Sequence, residues 1–117
     1  MLSSMIKSAD WKAEKHVPVI ELPESIEIGK PFSVSVSVGK EIPHPNTVEH
    51  HIAWIVLYYA AEGGSLPIEL GRTDFSAHGV VATAPVANFS VTLDKPGTLH
   101  AAAYCNLHGL WESEAAV

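Results

Sequence analysis

Apolar and polar residues alternate strictly along Phe32-Ser33-Val34-Ser35-Val36-Ser37-Val38. A helix would scatter those valines around its circumference, whereas a strand places Phe32, Val34, Val36 and Val38 on one face and the serines on the other. The pattern predicts a half-buried strand with its serine face toward solvent or a polar interface. Residues 51–61 read differently: Ile52, Trp54, Val56 and Tyr58 are apolar on one parity, and Ala53, Ile55, Leu57 and Tyr59 on the other. That predicts a central strand covered on both faces. Shorter strand-like runs occupy residues 17–22, with Pro18 near the start, and residues 68–72, 86–93 and 98–105. Glu62-Gly63-Gly64-Ser65 turns the chain, and Asp94-Lys95-Pro96-Gly97 reads as a four-residue hairpin turn between the last two runs. Residues 39–49 form a long loop punctuated by Pro43 and Pro45, and loops of that length are often functional. The first residues, to about Lys15, mix charge with isolated apolar positions such as Ile6 and Trp11, which suits a short helix or an irregular arm. With hardly any helical periodicity elsewhere, the expected fold is all-β: an immunoglobulin-like antiparallel β-sandwich of about seven strands. It is expected to form a single domain over residues 1–117, with residues 1–13 as an N-terminal arm.

Composition narrows the partners. The chain is 47% hydrophobic and 17% charged, with apolar runs too short to cross a bilayer, so no membrane partner is expected. A net charge of −6, with the seven basic residues spread along the chain, speaks against nucleic acid. The first seventeen residues hold no continuous apolar segment before a small-residue cleavage site, which predicts a cytoplasmic location. One cysteine cannot form an internal disulfide, so its thiol is free for chemistry.

Seven histidines are more than a small domain usually needs. Taken singly, a histidine is more often hydrogen-bonded or exposed than a ligand, and a lone cysteine is more often an inert buried thiol. Position changes the weighing. Cys105 sits where a strand ends, and His108 follows three residues later on a turn containing Gly109, so a soft thiolate and an imidazole can reach one metal ion. Pro43 and Pro45 restrict the backbone around His44 and lower the entropy lost when its side chain is fixed. His50 and His51 point to opposite faces of a strand, so at most one readily reaches a given metal, and parity alone does not choose between them. His16 follows Glu14-Lys15, which by itself is an ordinary solvated charge pair. His100 has the opposite strand parity to Cys105 and His78 lies in a polar loop, so neither is expected to be a ligand.

Three separated motifs then carry a resemblance: Glu14-Lys15-His16-Val17-Pro18, His44-Pro45-Asn46-Thr47 running into Glu49-His50-His51-Ile52-Ala53-Trp54, and Cys105-Asn106-Leu107-His108-Gly109-Leu110-Trp111. Together, and in this order, they resemble the superoxide reductases, specifically the one-iron or neelaredoxin class of the desulfoferrodoxin family. The match runs from Glu14 to Trp111, and no second cysteine exists to build the rubredoxin-like domain of the two-iron class. The resemblance implies one iron per chain with equatorial His16, His44, His50 and His108, axial Cys105, and a sixth position open or closed by Glu14. It selects His50 over His51 and makes Lys15 the cation near the open position. It further implies one-electron reduction of superoxide to hydrogen peroxide as a defence against oxidative stress. Re-reduction would come from an electron donor protein such as rubredoxin, and the chain would assemble as a homo-tetramer or dimer.

Other functions are compatible with parts of the pattern. A cupredoxin also combines a β-sandwich with Cys-x-x-His and an upstream histidine, but here no methionine follows the histidine, since the only ones are Met1 and Met5. An immunoglobulin-like binding module would bind no metal. A structural zinc site is a third reading, although five donors and an adjacent carboxylate exceed what a closed tetrahedral site uses.

Overall fold

The computed structural model describes all 117 residues, Met1–Val117. Seven strands form two antiparallel sheets: β1 (Val19–Glu21), β2 (Phe32–Ser37), β3 (Ile52–Ala61), β4 (Ile68–Asp74), β5 (Val86–Val91), β6 (Gly97–Cys105) and β7 (Gly109–Ala116). One sheet has the order β1-β2-β5 and the other β4-β3-β6-β7. The only helical element is a 3-10 turn at Leu2–Ser4, and no helix is long and apolar enough to cross a membrane.

The core is the space between the sheets. From β2 it receives Phe32, Val34 and Val36, with Val38 just beyond, at 8, 1, 0 and 5% exposure, as the strict alternation predicts. Opposite them stand Ile55, Leu57 and Tyr59 of β3 and Leu99, Ala101, Ala103 and Cys105 of β6. The outer face of β3 is only partly covered within one chain. Val56 is buried, whereas Trp54 and Tyr58 are half-buried.

Two features depart from the sequence reading. Asp94-Lys95-Pro96-Gly97 is no hairpin turn, because β5 pairs with β2 while β6 pairs with β3 and β7. Ala87 and Val91 enter the core from one side and Leu99, Ala101 and Ala103 from the other, so the connection crosses between sheets. The Tyr59 hydroxyl, donating to the Lys95 carbonyl at 2.8 Å, fastens that crossing. The seventh strand, β7, was not read in the sequence. Its inward positions, Trp111, Ser113 and Ala115, are too mixed in character to give a clear alternation, and it is recruited by pairing along β6. The N-terminal arm also docks here. The Lys7 N–H donates to the Leu110 carbonyl at 3.1 Å, and the Glu112 N–H donates to the Lys7 carbonyl at 2.8 Å.

Candidate metal centre

At one end of the sandwich, three segments converge on the last residue of β6. Cys105 closes that strand opposite Ile52 of β3 and Gly109 of β7, and its sulfur sits at the edge of the core with the residue 0% exposed. The turn that follows carries His108. It re-enters the sheet through Gly109, whose φ of +81° lies in the left-handed region that glycine adopts without Cβ strain.

The second segment is the loop before β3. Thr47 and His50 exchange backbone hydrogen bonds, with the Thr47 N–H donating at 2.9 Å and the His50 N–H at 3.2 Å; the His50 N–H also donates to Thr47 Oγ1 at 3.0 Å. This closes a compact turn between His44 and His50. Asn106 joins it to the Cys105 turn: its Oδ1 accepts from the His51 N–H at 2.8 Å, and its amide nitrogen donates to the Glu49 carbonyl at 2.9 Å. His44 is fixed from the other side by Gly39, where φ is +88° and a Cβ would stand 2.6 Å from the His44 nitrogen.

The third segment is the stretch before β1. There the His16 ring stacks on Trp111 of β7, with centroids 5.0 Å apart and planes 15° from parallel. Trp111 is itself tied to the Cys105 turn, because its indole N–H donates to the His108 carbonyl at 3.2 Å.

The four imidazoles form a ring. Consecutive centroids are 4.9 Å (His16–His44), 4.7 Å (His44–His50), 4.9 Å (His50–His108) and 4.8 Å (His108–His16) apart, and the His16–His50 diagonal is 6.3 Å. Ligand atoms of His16, His44, His50 and Cys105 all lie within 4.8 Å of one another. Nδ1 of His108 approaches His16 Nε2 and His50 Nε2 at 3.2 Å each, and the Cys105 sulfur at 3.7 Å. Five soft or borderline donors therefore share one centre. The sulfur lies on the core side, and His108 is exposed toward solvent.

The outer ring nitrogens show how the inner ones are used. His44 Nδ1 donates to the Pro45 carbonyl at 2.7 Å, which leaves Nε2 as a lone pair, buried and without any hydrogen-bond partner. A lone pair orphaned in that way is costly unless a cation meets it. Burial also pushes the His44 imidazole down to about 4, outweighing its bond to Pro45, and the charges of His16, His50 and Lys15 push the same way. His50 is lowered by burial first and then by His108, His16 and Lys15. Both rings are thus held neutral, as metal ligation requires. Imidazole and thiolate donors suit iron, copper or zinc, and five donors exceed a closed tetrahedral zinc site.

Glu14 stands behind the ring. Its Oε1 accepts from His16 Nδ1 at 2.7 Å and from the His16 backbone N–H at 3.2 Å, and the first of these bonds holds the carboxyl below the usual carboxylate range. The carboxylate thus orients His16 and is not among the converging donors. Lys15 is half-buried beside it, near enough for its charge to act on Glu14, His44 and His50.

His51 and His78 lie outside the ring and stack on each other at 3.7 Å, with planes 6° apart. His100 pairs loosely with Glu114 at 3.6 Å on β6 and β7. The contacts of Asn46, His51, His78 and Asn106 behind the ligand loop were invisible in the sequence, because the decisive ones join residues far apart in the chain: Asn46 with His78 and Thr83, His51 with His78, and Asn106 with Glu49 and His51.

The desulfoferrodoxin family model matches residues 8–114. A superoxide reductase of Pyrococcus horikoshii is 56% identical over 114 residues, covering 97% of this chain and 96% of the relative. The neelaredoxin of Megalodesulfovibrio gigas is 45% identical, covering 99% and 96%. Among solved structures, the reduced superoxide reductase (neelaredoxin) of Archaeoglobus fulgidus superposes with a TM-score of 0.88 at 51% identity, covering 96% of this chain and 97% of that one.

Proposed function

The chain belongs to the desulfoferrodoxin family, and on that premise we propose that it is a superoxide reductase, reducing superoxide by one electron and two protons to hydrogen peroxide. A single non-haem iron would be held by His16, His44, His50, His108 and Cys105. The observation that carries this reading is the ring of four imidazoles closed over a buried thiol, with His44 Nε2 facing its centre unpartnered. When bound, iron supplies the reducing electron and a positively charged position for a small anion.

The protein's own groups do the rest. Neutral imidazoles would leave the charge of the bound ion uncancelled, and the Cys105 sulfur, buried at the edge of the core, would lend it electron density as a metal-bound thiolate. Lys15 draws superoxide toward the exposed side. Its local field outweighs the net charge of −6 because salt screens charges beyond about 8 Å. Glu14 fixes the proton of His16 on Nδ1 and so turns Nε2 inward. On the family resemblance we also assign Glu14 as an iron ligand in the oxidised state, a role its carboxylate would take up by leaving His16 Nδ1.

Peroxide formed without dioxygen needs electrons from outside, and we assign that role to a one-electron protein donor such as rubredoxin. A free thiol that must stay reduced fits the cytoplasm. Self-association into dimers or tetramers is supported by the half-buried outer face of β3 and β6, where Trp54 stacks on Tyr104 at 5.7 Å. Product stoichiometry tests the activity. Iron-loaded, reduced protein given a pulse of superoxide should yield one peroxide per superoxide consumed and no dioxygen. Half that peroxide, accompanied by dioxygen, would mean dismutation instead.

A further inference from the structure

The loop that brings in His44 and His50 is braced from behind by a histidine outside the ring. The residue 75–83 segment is anchored in the core by Phe75, 6% exposed, whose N–H donates to the Ala53 carbonyl of β3 at 2.9 Å. The segment closes on itself through the Thr83 N–H donating to the Ala77 carbonyl at 2.9 Å and a bridge between His78 and Ala82. From this rigid base His78 Nδ1 reaches Asn46 Oδ1 at 2.8 Å, while Nε2 reaches the Phe75 carbonyl at 2.8 Å. The Asn46 amide nitrogen is already committed, donating to the Thr83 carbonyl at 2.9 Å, so its oxygen must accept. Both ring nitrogens of His78 therefore face acceptors. The ring face meets His51, whose Nδ1 donates to the Thr47 carbonyl at 2.9 Å. His78 thus grips the ligand loop at Asn46, two residues after His44, and at His51, directly after His50.

We propose that His78 is a positioning residue of the metal centre, setting the spacing between His44 and His50 by clamping Asn46 and His51 onto the residue 75–83 segment. It touches none of the five donors. The backbone stretch whose two ends carry two of the donors is held on one side by Asn106 and on the other by His78. Removing the His78 clamp leaves the donors chemically intact but free to spread. This inference rests on reading the ring as a metal site.

The test uses the full chain, stripped of metal and titrated with cobalt(II) against a competing chelator, with the visible spectrum as the second readout. Wild type should bind one cobalt with ligand-field bands and a thiolate charge-transfer band. His78→Phe keeps a ring to stack on His51 and loses both hydrogen bonds. It should bind cobalt about tenfold more weakly with displaced ligand-field bands, a loss at the low end of what outer partners of metal ligands contribute. His78→Gln retains one amide donor for Asn46 Oδ1 and should recover part of both. If His78→Phe melts at a lower temperature yet binds cobalt as tightly as wild type with the same spectrum, His78 is merely structural and the proposal is overturned. Should that variant fail to fold, His78→Gln decides: a spectrum and affinity identical to wild type overturn the proposal, and weaker cobalt binding with displaced ligand-field bands supports it. Failure of wild type itself to bind cobalt through the thiolate would overturn the metal-site reading and this inference with it.

Discussion

Glu14 and Lys15 are neighbours in sequence with opposite charges and separate tasks. The Glu14 carboxylate is committed to His16 Nδ1, so its removal acts first on a ligand's orientation. In Glu14→Ala, we expect superoxide reduction close to normal, iron affinity reduced about tenfold, and a changed ferric absorption spectrum. An unchanged spectrum would remove Glu14 from the oxidised centre. Lys15 contributes charge without gripping any donor. Lys15→Ala should retain iron and slow the second-order reaction with superoxide about tenfold at low ionic strength, with a weaker salt dependence. Stopped-flow or pulse-radiolysis rates across a salt series would show this, and an unchanged rate would rule out steering. At this scale the sequence was most legible, because the donor residues are themselves the chemistry. His51 and His78 were not, since what ties them to the site is their mutual stacking and the Asn46 amide, contacts between distant segments that no local spacing encodes.

The long loop of residues 39–49 earns its length by delivering His44, with His50 following it directly. Its entry depends on Gly39, where φ is +88° and any Cβ would be 2.6 Å from the His44 nitrogen. Gly39→Ala should therefore cost about 1–2 kcal/mol from the left-handed backbone alone, more from the contact, and should weaken iron binding by displacing His44. Thermal melts with and without metal would separate the two effects, and equal stability with equal affinity would contradict this role. The alternation of β2 and the proline-bounded loop were readable because each is a local pattern. The crossing at Asp94–Gly97 was not, because a turn sequence can reverse a strand within its own sheet or hand it to the facing one. What decides is which partner strand is available, here β2 for β5 and β3 for β6. The strand β7 was hidden for a related reason, since pairing with β6 and the docked arm at Lys7 hold it more than its own alternation does.

Over the whole molecule, the sandwich is a rigid frame that holds five donors around a point where nothing else balances them. Metal-free protein should consequently be less stable than the loaded form and acid-sensitive. His44 is lowered to about 4 from an ordinary 6.5, so the unfolded chain binds its proton more readily. That contribution is intact above about pH 6.5 and is lost as pH falls toward about 4. Glu14, also lowered, adds a loss of the same sign below its ordinary 4.5. The melting temperature of the metal-free form should fall steadily from pH 7 to pH 4, and a flat profile would mean that these groups are not held as described. The most direct test of the centre is an electron paramagnetic resonance spectrum of the purified protein after mild oxidation. The account predicts a high-spin ferric signal that is altered, with loss of the thiolate absorption band, in Cys105→Ser. A copper signal with hyperfine splitting, or a silent spectrum from protein that takes up no iron on reconstitution, would contradict it.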